Sequence, residues 1–218
     1  MQDAITAEID AGLHRIQRHP FLQQARDGLL PKEGALRWIF CAGRESRSFP
    51  SILRALIARS SEACIINALS ENLADENGRG NPEDAHFQHY LRLLDEIGVS
   101  RQSFESYSEK SGIHLALAIA NSVATHANDG VSVGYMLINE AITPLTYRAA
   151  QRAIERFYPR LQTRFFDLHV EVDAEHVEQL RSLLGVATTL RQDNVSYGVS
   201  LGERGMLSLL DEAYGFFH

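Results

Sequence analysis

Apolar residues recur three and four positions apart along almost the whole chain, and this period narrows the available folds more than any other feature. Ile5, Ile9, Leu13 and Ile16 line one side of a helix over about Ala4–Gln17. The same spacing predicts helices over Phe21–Ala25, Lys32–Arg47, Ser51–Arg59 and from Ser60 or Ser61 to Asp75. Further helices are expected over Pro82–Ile97, Gln102–Tyr107, Ile113–Thr125, Val131–Phe157, Gln162–Val186 and within Gly202–Phe217. Pro50 should kink or restart its helix, and Asn77–Pro82 is the clearest interruption in the chain. No stretch alternates with period two, and no Asn-Gly turn joins two β-branched runs. The expected fold class is all-α, with seven to nine helices in a single domain over residues 1–218.

At 218 residues the chain can bury one good core. Its formal net charge of −7 and the lack of any basic stripe argue against nucleic acid as a partner. Cys41 and Cys64 are too few and too far apart for a disulfide frame or a zinc knuckle, which suggests free thiols in a reducing compartment. The acidic, amphipathic start does not read as a signal peptide, and no apolar run is long enough for a membrane span. A cytoplasmic protein is expected.

The stretch His169–His176 breaks the apolar pattern. His169, Asp173 and His176 share one helical face with Phe165 and Phe166 before them and Leu180, Leu183 and Leu184 after them. Three ionisable groups on a buried stripe cost several kcal/mol unless something compensates them, and a metal is the simplest compensation. Glu83 and His86 repeat the carboxylate-x-x-His spacing of Asp173 and His176. Glu76 ends an apolar stripe, and Glu140 sits mid-helix one turn before Pro144. Two carboxylate-x-x-His pairs with two lone glutamates form the ligand set of dinuclear carboxylate bundles. Glu76, Glu83, Glu140 and Asp173 carry four negative charges, which two divalent ions would neutralise. Oxygen and imidazole donors suit Fe, Mn or a mixed pair. Glu71, Asp75, Asp84, Glu171 and Glu175 lie off these faces and read as solvated. His89 could line a pocket but reads better as a core or surface residue, and His14, His114 and His126 read as structural. Trp38 and Phe40 belong to the core or to a pocket wall.

The order Glu76, Glu83, His86, Glu140 and then H-x3-D-x2-H at His169, Asp173 and His176 resembles the haem-oxygenase-like dimetal oxidases and oxygenases. The segment Glu71–Gly78 through His86 is similar as well, and the body around Trp38 and Phe40 resembles the wider group of thiaminase-like and PQQ-synthesis proteins. The resemblance implies a haem-oxygenase-like helical bundle, commonly a homodimer. It also implies two Fe(II) ions that react with dioxygen as cosubstrate to oxidise a small substrate: an amino acid, an amine or guanidine, or a fatty acid. An external electron donor is compatible with such chemistry. On this reading Glu76, His86 and His176 serve one metal and His169 and Asp173 the other. Glu140 lies between them, and Glu83 joins only the oxidised site. Arg191 and Arg204 are the candidate anchors for a substrate carboxylate. Two alternatives remain: a metal-free thiaminase-like hydrolase with Cys41 or Cys64 as nucleophile, and a non-catalytic iron-binding protein of ferritin-like type. A haem oxygenase proper fits poorly, because His14 and His19 lack the context of an axial ligand.

Overall fold

The computed structural model describes residues 1–216, apart from the side chains of residues 171–174. Its described residues form ten α-helices and no strand: α1 Gln2–Gln17, α2 Pro20–Arg26, α3 Lys32–Arg59, α4 Ala63–Glu76, α5 His86–Glu96, α6 Arg101–Glu105, α7 Ser111–His126, α8 Asp129–Glu155, α9 Phe165–Val186 and α10 Gln192–Tyr214. Nine of them run to seven residues or more, within the expected range.

The long α8 is the centre of the bundle. It packs against α10 and α9 and also touches α1, α2 and α3, while α7 closes over α10 and α3. Its apolar residues are buried around its circumference, as a central helix requires. Asn128 caps its start by accepting from Val131 N at 3.1 Å. Glu212 on α10 performs the same service for α7, accepting from the backbone N–H groups of Lys110 at 2.9 Å and Ile113 at 2.7 Å.

Three expectations about the elements are corrected. Pro50 does not divide α3, which runs 28 residues with the proline inside it; packing on both sides of the proline outweighs one missing hydrogen bond. Helix α10 begins ten residues before its expected start, at Gln192. Gly198 and Gly202 weaken its sequence signal, yet they are what lets α10 lie against α8. A Cβ on Gly198 would overlap the Val131 carbonyl, and one on Gly134 would overlap the Val195 carbonyl. Finally, Pro82 does not open a helix that runs to Ile97. Pro82–Asp84 is a single 3-10 turn, Ala85 is extended at φ −60° and ψ 139°, and α5 starts only at His86.

Candidate metal centre

Four helices bring their polar residues to one point inside the bundle. Glu76 is the last residue of α4, His86 the first of α5, Glu140 lies in the middle of α8, and His169 and His176 project from α9. All five are buried, with none more than 7 % exposed. Glu76, His86 and His169 each offer one donor atom within 4.8 Å of the others.

The orientation of each ring follows from its second nitrogen. His169 Nδ1 lies 2.7 Å from the carbonyl of Phe165, one turn back on α9, so it carries the proton and leaves Nε2 as the lone-pair donor. Burial and the neighbouring His86 push the His169 pKa down to about 3, which keeps the ring neutral. The ring is clamped by Tyr147 and Phe165, with centroids 4.4 and 4.8 Å away. His86 Nδ1 lies 2.8 Å from Glu76 Oε1 but without the geometry of a hydrogen bond. His176 Nε2 lies 3.1 Å from Asp75 Oδ2, and its Nδ1 faces Glu140 Oε2 at 3.5 Å, again without hydrogen-bond geometry. Burial lowers the pKa of both rings, but the surrounding carboxylates outweigh it and leave His86 and His176 raised. Asn72 fixes Glu140 by donating to Oε1 at 2.6 Å.

This arrangement fits a metal. Two buried imidazole nitrogens each face a carboxylate oxygen without hydrogen-bonding to it, which is how atoms that share a cation between them are placed. The donors are oxygen and nitrogen with no thiolate, a set suited to iron or manganese.

The expected ligands divide as follows. Glu76, His86, Glu140, His169 and His176 converge. The side chain of Asp173 lies outside the described residues. Glu83 is not brought in: its side chain is 76 % exposed and pairs with Arg92 at 2.8 Å. The physical reason is the extended Ala85, because an i,i+3 pair shares a face only where the helix is continuous. The expected grouping set His176 with Glu76 and His86; in the structure His169 lies beside those two and His176 faces Glu140. Asp75, read as solvated, instead holds His176 and is itself gripped by Arg79 at 2.5 and 2.9 Å. A signal was available, since Asp75 lies next to Glu76. Glu71, Asp84 and Glu175 are exposed as expected. His89 is buried outside the cluster, and His19 pairs with Asp211 at 3.0 Å.

A cavity adjoins the cluster, with Glu76, Glu140 and His169 in its wall. The volume in which a water centre fits is about 60 Å³, room for several waters or a small organic molecule. Phe49, Ile52, Ile113, Leu117 and Leu209 make much of the remaining wall apolar. Trp38 is core rather than wall: it packs on Tyr147, which does line the cavity, at 4.9 Å. Arg191 and Arg204 are exposed and line no part of the cavity, so they are corrected as substrate anchors. Cys41 is buried with its thiol pKa raised by desolvation, Cys64 donates to Glu62 at 3.6 Å, and neither reaches the cavity wall. The wall contains two charged residues that sequence did not single out, Arg44 and Glu45.

Known proteins resemble this chain in sequence and in fold. The model of a family described as "Iron-containing redox enzyme" matches residues 45–202. A Chlamydia pneumoniae protein named 4-aminobenzoate synthase is 23 % identical over 170 residues, covering 77 % of this chain and 74 % of that protein. Among solved structures, a CADD-like protein of unknown function from Nostoc punctiforme superposes with a TM-score of 0.78 at 14 % identity, over 98 % of this chain and 96 % of its own. A TenA homologue from Pseudomonas syringae gives 0.75 at 11 % identity over 97 % and 91 %. A Shewanella denitrificans domain described as having a haem oxygenase-like fold gives 0.75 at 16 % over 97 % and 89 %. A helical bundle of haem-oxygenase-like fold, matched over most of its length by one family model, belongs to the iron-containing redox enzymes.

Proposed function

We propose that the protein is a non-haem iron oxidase or oxygenase that uses dioxygen to oxidise a small organic substrate bound in the cavity beside the cluster. The observation that carries this reading is the buried set Glu76, His86 and His169, with donor atoms within 4.8 Å and His86 Nδ1 facing a carboxylate it does not hydrogen-bond. In the dinuclear form of the proposal these three residues hold one iron. Glu140 and His176 hold the second together with Asp173, which lies one turn before His176 on α9. Bound iron would supply the electrons that dioxygen chemistry requires.

The chain's own residues have separable tasks. The Phe165 carbonyl and Asp75 fix which nitrogen His169 and His176 present. Such partners raise ligand basicity and lock ring orientation. Asn72 keeps Glu140 turned toward His176. The apolar walls contributed by α3, α7 and α10 limit water beside the cluster, which strengthens every electrostatic interaction there. A relative named for the synthesis of 4-aminobenzoate supports a biosynthetic role with a small substrate.

The test is anaerobic loading with Fe(II) followed by exposure to dioxygen, in wild type and in His176→Ala. Wild type should take up iron and show a transient visible absorption on mixing with dioxygen. His176→Ala should lose part of the iron and all of the transient. No uptake by wild type, or uptake unchanged in the variant, would overturn the proposal.

A further inference from the structure

Glu45 is a carboxylate without a counter-charge in the wall of the substrate cavity. It stands on α3 one heptad after Trp38 and one before Ile52, both buried, so its position belongs to the inward stripe of that helix. It lines the cavity together with Glu140 and forms no hydrogen bond or ion pair among the described residues. Arg44, beside it in sequence and also in the wall, does not compensate it. The Arg44 guanidinium is already engaged by Glu109 at 2.5 Å, by the carbonyls of Phe104 and Glu105 at 2.9 and 3.2 Å, and by the ring of Phe104 at 4.3 Å. The iron proposed above answers the charge of Glu76 and Glu140. The charge left unanswered in the cavity is that of Glu45, which is half-buried and has no counter-charge among the described residues.

Asn139 and Thr143 of α8, in the same wall, have turned donor hydrogens inward. Asn139 donates its amide to the Tyr135 carbonyl at 2.7 Å, and Thr143 donates its hydroxyl to the Asn139 carbonyl at 2.9 Å. Their side-chain oxygens keep acceptor capacity for the cavity. A wall with a lone carboxylate and spare acceptors suits a ligand that is cationic and rich in N–H groups. We propose that Glu45 selects the substrate by its charge, binding the ammonium or guanidinium group of a small amine and turning the rest of the molecule toward the iron cluster. The proposal rests on the oxidative reading for the fate of the amine, but not for its binding.

The test uses probes of one shape and three charges: n-butylamine, n-butanol and butyrate. Each is titrated into the full-length protein, as purified and after iron loading, with binding followed by calorimetry. At a pH of about 8 the amine is protonated and Glu45 is ionised. The amine should bind about tenfold or more tighter than the alcohol, the scale of one charge-assisted hydrogen bond, and butyrate weakest. In Glu45→Gln, an isosteric change, the preference for amine over alcohol should disappear while iron uptake stays near wild type and the melting temperature does not fall. Butyrate binding tightest, an amine preference unchanged in Glu45→Gln, or no amine binding at all would each overturn the proposal. Loss of iron in Glu45→Gln would also overturn it, by making Glu45 a ligand. The wild-type probe series decides the question even if the variant fails to fold. If iron uptake fails while the amine preference holds, the oxidative reading falls and the role of Glu45 stands.

Discussion

His176 is held from two sides, by Asp75 on Nε2 and by the approach of Glu140 to Nδ1. Asp75 is in turn fixed by Arg79, which also reaches Glu71 at 3.2 Å. A carboxylate behind a ligating imidazole typically contributes 10- to 100-fold in metal affinity. We therefore expect Asp75→Asn to weaken iron binding by about that range with the fold intact, measured by anaerobic Fe(II) titration alongside circular dichroism. Glu45 supports a second expectation, for the metal-free protein. Burial, reinforced by the charge of Glu140, raises its pKa from 4.5 to about 7. A raised carboxylate pKa means that the folded state binds more protons than the unfolded state between those two values, so stability falls as pH rises through that window. Gln does not titrate. Relative to wild type, Glu45→Gln should therefore gain stability progressively from about pH 4.5 and level off above pH 7, by about 3 kcal/mol. Urea denaturation across pH measures the difference, and a flat difference would contradict the assignment. Both residues could have been suspected from sequence. Glu45 interrupts an apolar stripe by the same logic that exposes His169 and His176, and Asp75 directly precedes a residue already singled out.

The elements differ in how openly the chain announces them. Helices with a clean apolar stripe, such as α1 and α4, begin and end within two or three residues of where spacing places them. Helix α10 is obscured because its glycines carry a low helix propensity while serving a contact that only the folded bundle contains. At the α8–α10 contact the backbones approach closely enough that a side chain on Gly198 would meet the Val131 carbonyl. Overpacking of this kind usually costs about 1–3 kcal/mol, and a clash with backbone leaves little room to relax. Gly198→Ala should lower the melting temperature by several degrees, whereas Gly205→Ala, where a Cβ meets open space, should leave it unchanged or raise it. Equal effects from the two substitutions would remove the close approach as the explanation. The same reasoning accounts for Glu83. Its spacing to His86 satisfies a helical template, but the extended Ala85 ends the template between them and leaves Glu83 with Arg92 at the surface.

At the scale of the whole molecule, the cluster draws on α4, α5, α8 and α9, so a metal bound there ties together segments that are far apart in the chain. A ligand that binds only the folded state stabilises it by RT ln(1 + [L]/Kd), about 2.7 kcal/mol at a hundredfold excess over Kd. Iron loading should raise the melting temperature by several degrees, and chelation should reverse the gain. His86→Ala should show neither change, as measured by calorimetry with and without chelator. What the sequence determined by itself is the helical class, the placing of most helices and the presence of polar residues on apolar faces, because each depends on spacing within one helix. His169 and His176 were legible for that reason, as were Glu76 and Glu140. Only the tertiary structure decided which of those faces meet. It removed Glu83, drew in Asp75, grouped His169 with Glu76 and His86, and gave the cavity Arg44 and Glu45 in place of Arg191 and Arg204. Those outcomes depend on how the helices cross and where one is interrupted, and such geometry is set by packing between distant segments that no local period encodes.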